Sequence, residues 1–165
     1  MTTMPNEALA TYLNDHVAGS VIALELLADL ATERANTDER EVIAAVRAEI
    51  EADRDELDAL MARLGISASG PRRATAWLTE KIGEVKLRLD DPGSGALRRL
   101  ETLETVSLGI AGKQALWTAL AAAAEQEPML RGLDYPRLIR RAAAQREIIE
   151  SLRLVAAREA LVSEG

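Results

Sequence analysis

Apolar positions recur every three to four residues along most of this chain, in long runs divided by clear breaks. From about Asn6 to Ala35, Leu9, Leu13, Val17, Ser20, Leu24, Leu27 and Ala31 share one side of a helix at about 100° per residue. After the break at ANT, Thr37 is the expected N-cap of a second helix, with Asp38 and Glu39 favouring its positive end. Ile43, Val46, Ile50, Leu57, Leu60, Met61 and Leu64 form its stripe, and Gly65 suits the C′ position. Pro71 opens a shorter helix to about Leu89. DDPGSG then breaks the chain, and Ser94 is placed to cap a helix from about Ala96 to Gln126. Asp134 caps a last helix over about 135–162, with Leu133 and Leu138 at hydrophobic-staple spacing.

The order is long, long, short, long, long, within a single domain spanning 1–165. Short connections within the first and last pairs make each pair an antiparallel hairpin. The helices expected over 6–35, 37–64, 96–126 and 135–162 therefore form an all-α, antiparallel four-helix bundle. The short helix over 71–89 lies in a long crossover between the hairpins. In helix number, length and connectivity the chain resembles the ferritin-like superfamily over nearly its whole length. The resemblance implies a ferritin-like topology. It would also imply two metal ions, held by a Glu on each of two helices and an E-x-x-H on each of the others. The sequence has no E-x-x-H, and its only histidine is His16. The fold carries over, and the di-iron chemistry does not.

Composition narrows the partners. The formal net charge of −7 disfavours nucleic acid, which needs a basic surface. The basic pairs Arg72–Arg73, Arg98–Arg99 and Arg140–Arg141 read as solvated faces near carboxylates. Cysteine is absent, which removes thiolate chemistry. The start lacks the pattern of a signal peptide, and no apolar run is long enough for a membrane span. A cytoplasmic protein without a membrane partner is expected, and a homodimer is left open.

The segment EIEADRDELDALM, residues 49–61, is densely acidic, and the helical period divides it. Arg47, Glu51, Arg54 and Asp58 stand three and four apart on the solvent side, as an ion-pair ladder. Glu49 and Glu56 border the apolar stripe, and Asp53 lies within it. A buried carboxylate needs a partner. Folding the first hairpin at about Asn36 sets Ser20 opposite Asp53, with His16 one turn away.

The helix over 96–126 is expected to face inward through Leu100, Leu103, Ser107, Ala111, Gln114, Thr118 and Ala121. The last helix does so through Leu138, Gln145, Ile149, Leu152 and Ala156. Gln114 then meets Gln145, and Glu104 lies at the edge of the same face. His16, Ser20, Asp53, Gln114 and Gln145 form an expected polar layer in mid-bundle, flanked by Glu49, Glu56 and Glu104.

Three functional readings follow. The favoured one is a non-enzymatic binding or interaction protein, without cofactor, whose polar layer is structural. A second is a redox or storage protein binding Fe or Mn through His16, Asp53 and Glu49. A third is a bundle holding a small organic ligand in its polar middle. A hydrolytic triad of Ser20, His16 and Asp53 is disfavoured, since a core serine has no evident oxyanion hole.

Overall fold

The computed structural model describes residues 7–32, 36–67, 80, 83–84 and 95–162. Among them the chain is all-helical, with no strand and four α-helices: α1 (Glu7–Thr32), α2 (Thr37–Arg63), α3 (Gly95–Ala123) and α4 (Tyr135–Leu161). A 3-10 turn at Pro128–Leu130 joins α3 to α4. The crossover helix expected over 71–89, Arg72–Arg73 and the Ser94 cap lie outside the described residues, save for Glu80, Gly83 and Glu84.

The helix ends follow local hydrogen bonding. Asn36, not Thr37, caps α2: its backbone is extended and its side chain accepts from the Glu39 amide at 2.9 Å. Thr37 becomes the first helical residue. Asp134 caps α4 as its position predicts, accepting from the Arg137 amide at 3.0 Å. The helix expected to reach Gln126 stops at Ala123. Just past that end, the Arg131 guanidinium donates to the carbonyls of Ala124 at 2.9 Å and Glu125 at 3.0 Å. Gly132 follows at φ +106°, and a Cβ there would lie 3.1 Å from Arg63 Nη1. Arg63 itself donates to the carbonyls of Met129 and Arg131, fastening the end of α2 to this turn.

Contacts join α1 to α2, α1 to α3, α3 to α4 and α2 to α4. The side-chain bridges are regular. Glu39 pairs with Arg99 and Asp53 with Lys113, so numbers along α2 and α3 rise together at a constant offset of 60. Between α2 and α4 the numbers run oppositely, through Glu49–Gln145, Asp53–Arg141 and Glu56–Arg137.

The apolar interior falls into two halves. One gathers Leu27, Ile43, Val46, Leu103, Ile110 and Ile149. The other gathers Leu13, Leu57, Leu60, Leu116, Trp117 and Leu138. Along α2 the boundary lies between Ile50 and Leu57, and along α3 between Ile110 and Leu116. Asp53 and Lys113 stand in those gaps.

Candidate functional site

The helical period of α2 turns Ile50, Asp53 and Leu57 to the same side, and Asp53 is only 1% exposed. Its Oδ1 accepts from Arg141 Nε at 2.8 Å and from the same guanidinium's Nη2. Its Oδ2 accepts from Lys113 Nζ and, at 3.3 Å, from Gln145 Nε2. Gln145 is fully buried. Its Oε1 accepts from Lys113, and its amide nitrogen also donates to Glu49 at 3.0 Å. Arg137 donates to Glu56 at 2.6 Å, and Arg141 reaches the same carboxylate at 3.5 Å. Three carboxylates thus face three cations around one amide.

This network supplies what a buried carboxylate requires. A carboxylate left without partners in an apolar core is costly. Asp53 has two charge-assisted contacts there, and removal of one member from such a buried set costs about 3–5 kcal/mol. Burial lowers the Lys113 ammonium below its ordinary pKa. Asp53 opposes that shift and Arg141 adds to it.

The side of the layer toward α1 differs. A pocket of about 220 Å³ lies between α1, α2 and α3, lined by His16, Ser20, Asp53, Lys113 and Trp117 with apolar neighbours such as Ala23, Leu57 and Ile110. Gly19 and Gly112 also line it, and neither has a heavy atom within 4 Å of where a Cβ would stand. Trp117 is 1% exposed, yet its indole N–H has no acceptor among the described residues. A buried donor left unpaired costs about 1–3 kcal/mol.

The expected polar layer is therefore brought together in part. His16, Ser20 and Asp53 share the pocket, but neither of the first two bonds to Asp53. Ser20 donates to the Val17 carbonyl at 2.6 Å, the local option open to a helical serine. His16 meets the ring of Tyr12 edge-on at 4.7 Å. Burial lowers its pKa, opposed by Asp15. Asp53 takes cations instead, which neutralise its charge as a hydroxyl cannot. Glu49 and Glu56 join the network from the α4 side. Glu104 does not, and pairs with Arg153 at 3.2 Å on an exposed face. Gln114 does not meet Gln145. It accepts from Arg146 at 3.5 Å, and Lys113, one position earlier, takes the central place.

Lys113, Arg141 and Trp117 are the residues that sequence reasoning missed. The buried positions of α3 include Val106, Ile110, Leu116, Trp117 and Leu120. Lys113 falls in the gap of that stripe, so a cation amid the strongest apolar residues was the available signal. Arg141, read as solvated, is held against Asp53 with its side chain 21% exposed. Arg99 likewise turns to Glu39. The ladder on α2 is present, with Arg47–Glu51 at 3.2 Å and Arg54–Asp58 at 3.7 Å.

Of the residues named for the alternative metal site, Asp53 and Glu49 already have partners. Both oxygens of Asp53 face cations, and Glu49 is engaged by Gln145. A divalent ion added at Asp53 would stand beside Lys113 and Arg141, against two like charges. No group of three His, Asp or Glu side chains suited to a metal occurs among the described residues. No helix among them is long and apolar enough to cross a membrane. No family model matches the chain, and neither a curated protein nor a solved structure matches it.

Proposed function

We propose that the chain is a ferritin-like bundle working without metal, as a non-enzymatic binding or interaction protein in the cytoplasm. The opposed numbering between α2 and α4, and the parallel offset between α2 and α3, support that topology: neighbours run oppositely and diagonal helices run together. One observation carries the functional reading. Asp53 is saturated by Lys113, Arg141 and Gln145, so the central carboxylate has no free role as ligand or base. The layer acts as a lock that selects one arrangement of helices, a role known for polar groups in bundle cores. Nucleic acid is disfavoured by the net charge of −7. A second copy of the chain is one candidate partner, given exposed Leu108, Ile148 and Val155.

Metal analysis of protein purified without chelator tests the reading. Iron, manganese and zinc are expected far below one equivalent. One equivalent that disappears in Asp53→Ala would sink the proposal. The pocket favours a second reading, in which the bound partner is a small molecule.

A further inference from the structure

We infer that an exposed apolar strip between α2 and α4 docks an amphipathic helix of a partner protein, one whose apolar face is flanked by lysine and arginine. The inference rests on the reading of the chain as an interaction protein and names the partner's chemistry.

The ionic layer fixes which sides of the two helices meet. Glu49 and Glu56 of α2 reach α4, and Arg141 of α4 reaches α2. Val42 precedes Glu49 by seven residues, two helical turns, and so faces the same way. Ile148 and Val155 follow Arg141 by seven and fourteen residues. The bridges also set the register. With Glu49 beside Gln145 and Asp53 beside Arg141, Val42 stands level with Leu152, between Ile148 and Val155. Among the described residues no side-chain bridge joins α2 to α4 on this side of Glu49. Val42 and Ile148 are 38% exposed and Val155 is 43% exposed, although their chain neighbours Ile43, Ile149 and Ala156 are fully buried. The strip is the outer edge of the core, and no described residue covers it.

Two features select the occupant. The first is the backbone form it must take. The described residues contain no strand, so a peptide has no sheet edge to extend, and the strip has no aromatic ring for a proline-rich ligand. A helix can lie between two others, with apolar anchors three, four and seven residues apart. The second feature is charge. Asp38 lies one turn before Val42, Glu49 two turns after it, and Glu159 one turn after Val155, and all three are exposed. Neither Asp38 nor Glu159 has an ion-pair partner among the described residues. The nearby cations are turned elsewhere or engaged. Arg40, Arg47 and Arg54 run along the other flank of α2, which borders the pocket beside α1 at Arg54. Arg141 is held by Asp53. Arg158 stands about 100° around α4 from Glu159. An acidic rim draws cationic flanks, and it repels a second copy, which would set the same carboxylates against each other.

The probes are a leucine–lysine peptide patterned as an amphipathic helix, a leucine–glutamate peptide of the same pattern, and a leucine–lysine peptide of the same composition with its pattern scrambled. Fluorescence anisotropy with the full chain at physiological salt should show saturable, one-to-one binding of the first. The scrambled peptide should bind about tenfold more weakly, and the glutamate peptide should not bind. Ile148→Ser with Val155→Ser removes two anchors and should weaken the first peptide about tenfold, while circular dichroism reports a folded protein. If that variant unfolds, Val42→Ser supplies the same comparison. Leu108→Ser, at an exposed apolar position of α3, should leave binding unchanged. Asp38→Asn with Glu159→Gln should weaken binding about threefold and flatten its salt dependence. Equal binding of the scrambled peptide overturns the inference, as does an equal loss in Leu108→Ser or tighter binding of the glutamate peptide. So does a dimer in sedimentation that the double serine variant dissolves, since the face then belongs to a second copy. Metal-free protein that binds none of the peptides sinks this inference alone, whereas a stoichiometric metal lost in Asp53→Ala sinks the reading beneath it.

Discussion

The two sides of one layer obey opposite rules. Toward α4, both oxygens of Asp53 and both ends of the Gln145 amide are engaged. Toward α1, the same layer borders open volume, small residues and an indole donor with no acceptor among the described residues. The contrast teaches that a polar group in a helical core does not by itself mark a site. The saturated half has little chemistry to spare and contributes stability. The other half borders open volume and makes fewer of the polar contacts that fix the layer.

Substitutions can break this contrast. The largest effect belongs to the saturated half. Asp53→Ala leaves Lys113 and Arg141 without their acceptor and should cost about 3–5 kcal/mol in urea unfolding. Asp53→Leu fills the space and should be milder, though it also leaves buried cations. Adding Lys113→Met to Asp53→Leu should recover much of the loss, a coupling read from the double-mutant cycle. If Asp53→Leu proves worse than Asp53→Ala, the layer does more than lock the helices.

The open half should respond with the other sign. Gly112→Ala places a methyl where nothing lies within 4 Å, inside a helix. A gain of about 1 kcal/mol is expected from helix propensity, raising the melting temperature by about 2–4 °C. A loss would mean that the volume is filled.

His16 gives a smaller and pH-dependent signal. Burial holds its folded pKa below 6.5, so the unfolded chain takes the proton first as pH falls. Unfolding free energy should therefore fall as pH drops from 6.5 toward the folded pKa, then level off for this group. His16→Gln should flatten that part of the profile in urea titrations at successive pH values. The smallest change is expected at the solvent ladder, where Glu51→Ala should cost only about 0.2–0.5 kcal/mol.

Much of the frame was legible from apolar spacing, and the reasons for the misses are specific. On α2 the contrast between Ile50 or Leu57 and their acidic neighbours is sharp, so the wheel turns Asp53 inward. On α4, Leu138 and Ile149 bracket Gln145 in the same way. On α3 the chain is rich in Ala, Ser and Thr, and several faces look almost equally apolar. The pattern points to the face through Ser107, Ala111 and Gln114, whereas the structure buries the adjacent one through Val106, Ile110 and Trp117. Larger side chains gain more from burial and set the rotation. The hairpin register points to Ser20 and His16 of α1 as partners of Asp53, whereas desolvation favours the full charges of Lys113 and Arg141. That the Trp117 N–H has no acceptor among the described residues is a matter of tertiary placement that no spacing reveals.

One regularity has a consequence for how the molecule opens. Fourteen residues separate Glu39 from Asp53, and fourteen separate Arg99 from Lys113. At 1.5 Å per residue the diagonal helices are pinned at two levels about 21 Å apart. Such a truss resists both sliding and rotation, and Arg141 ties α4 into it. Amide protons of α2, α3 and α4 should then exchange with solvent as one slow block. α1 supplies none of the side chains of the ionic layer, and it can loosen before that block does. The ionic layer thus joins three of the four helices, with the pocket on the side of the fourth.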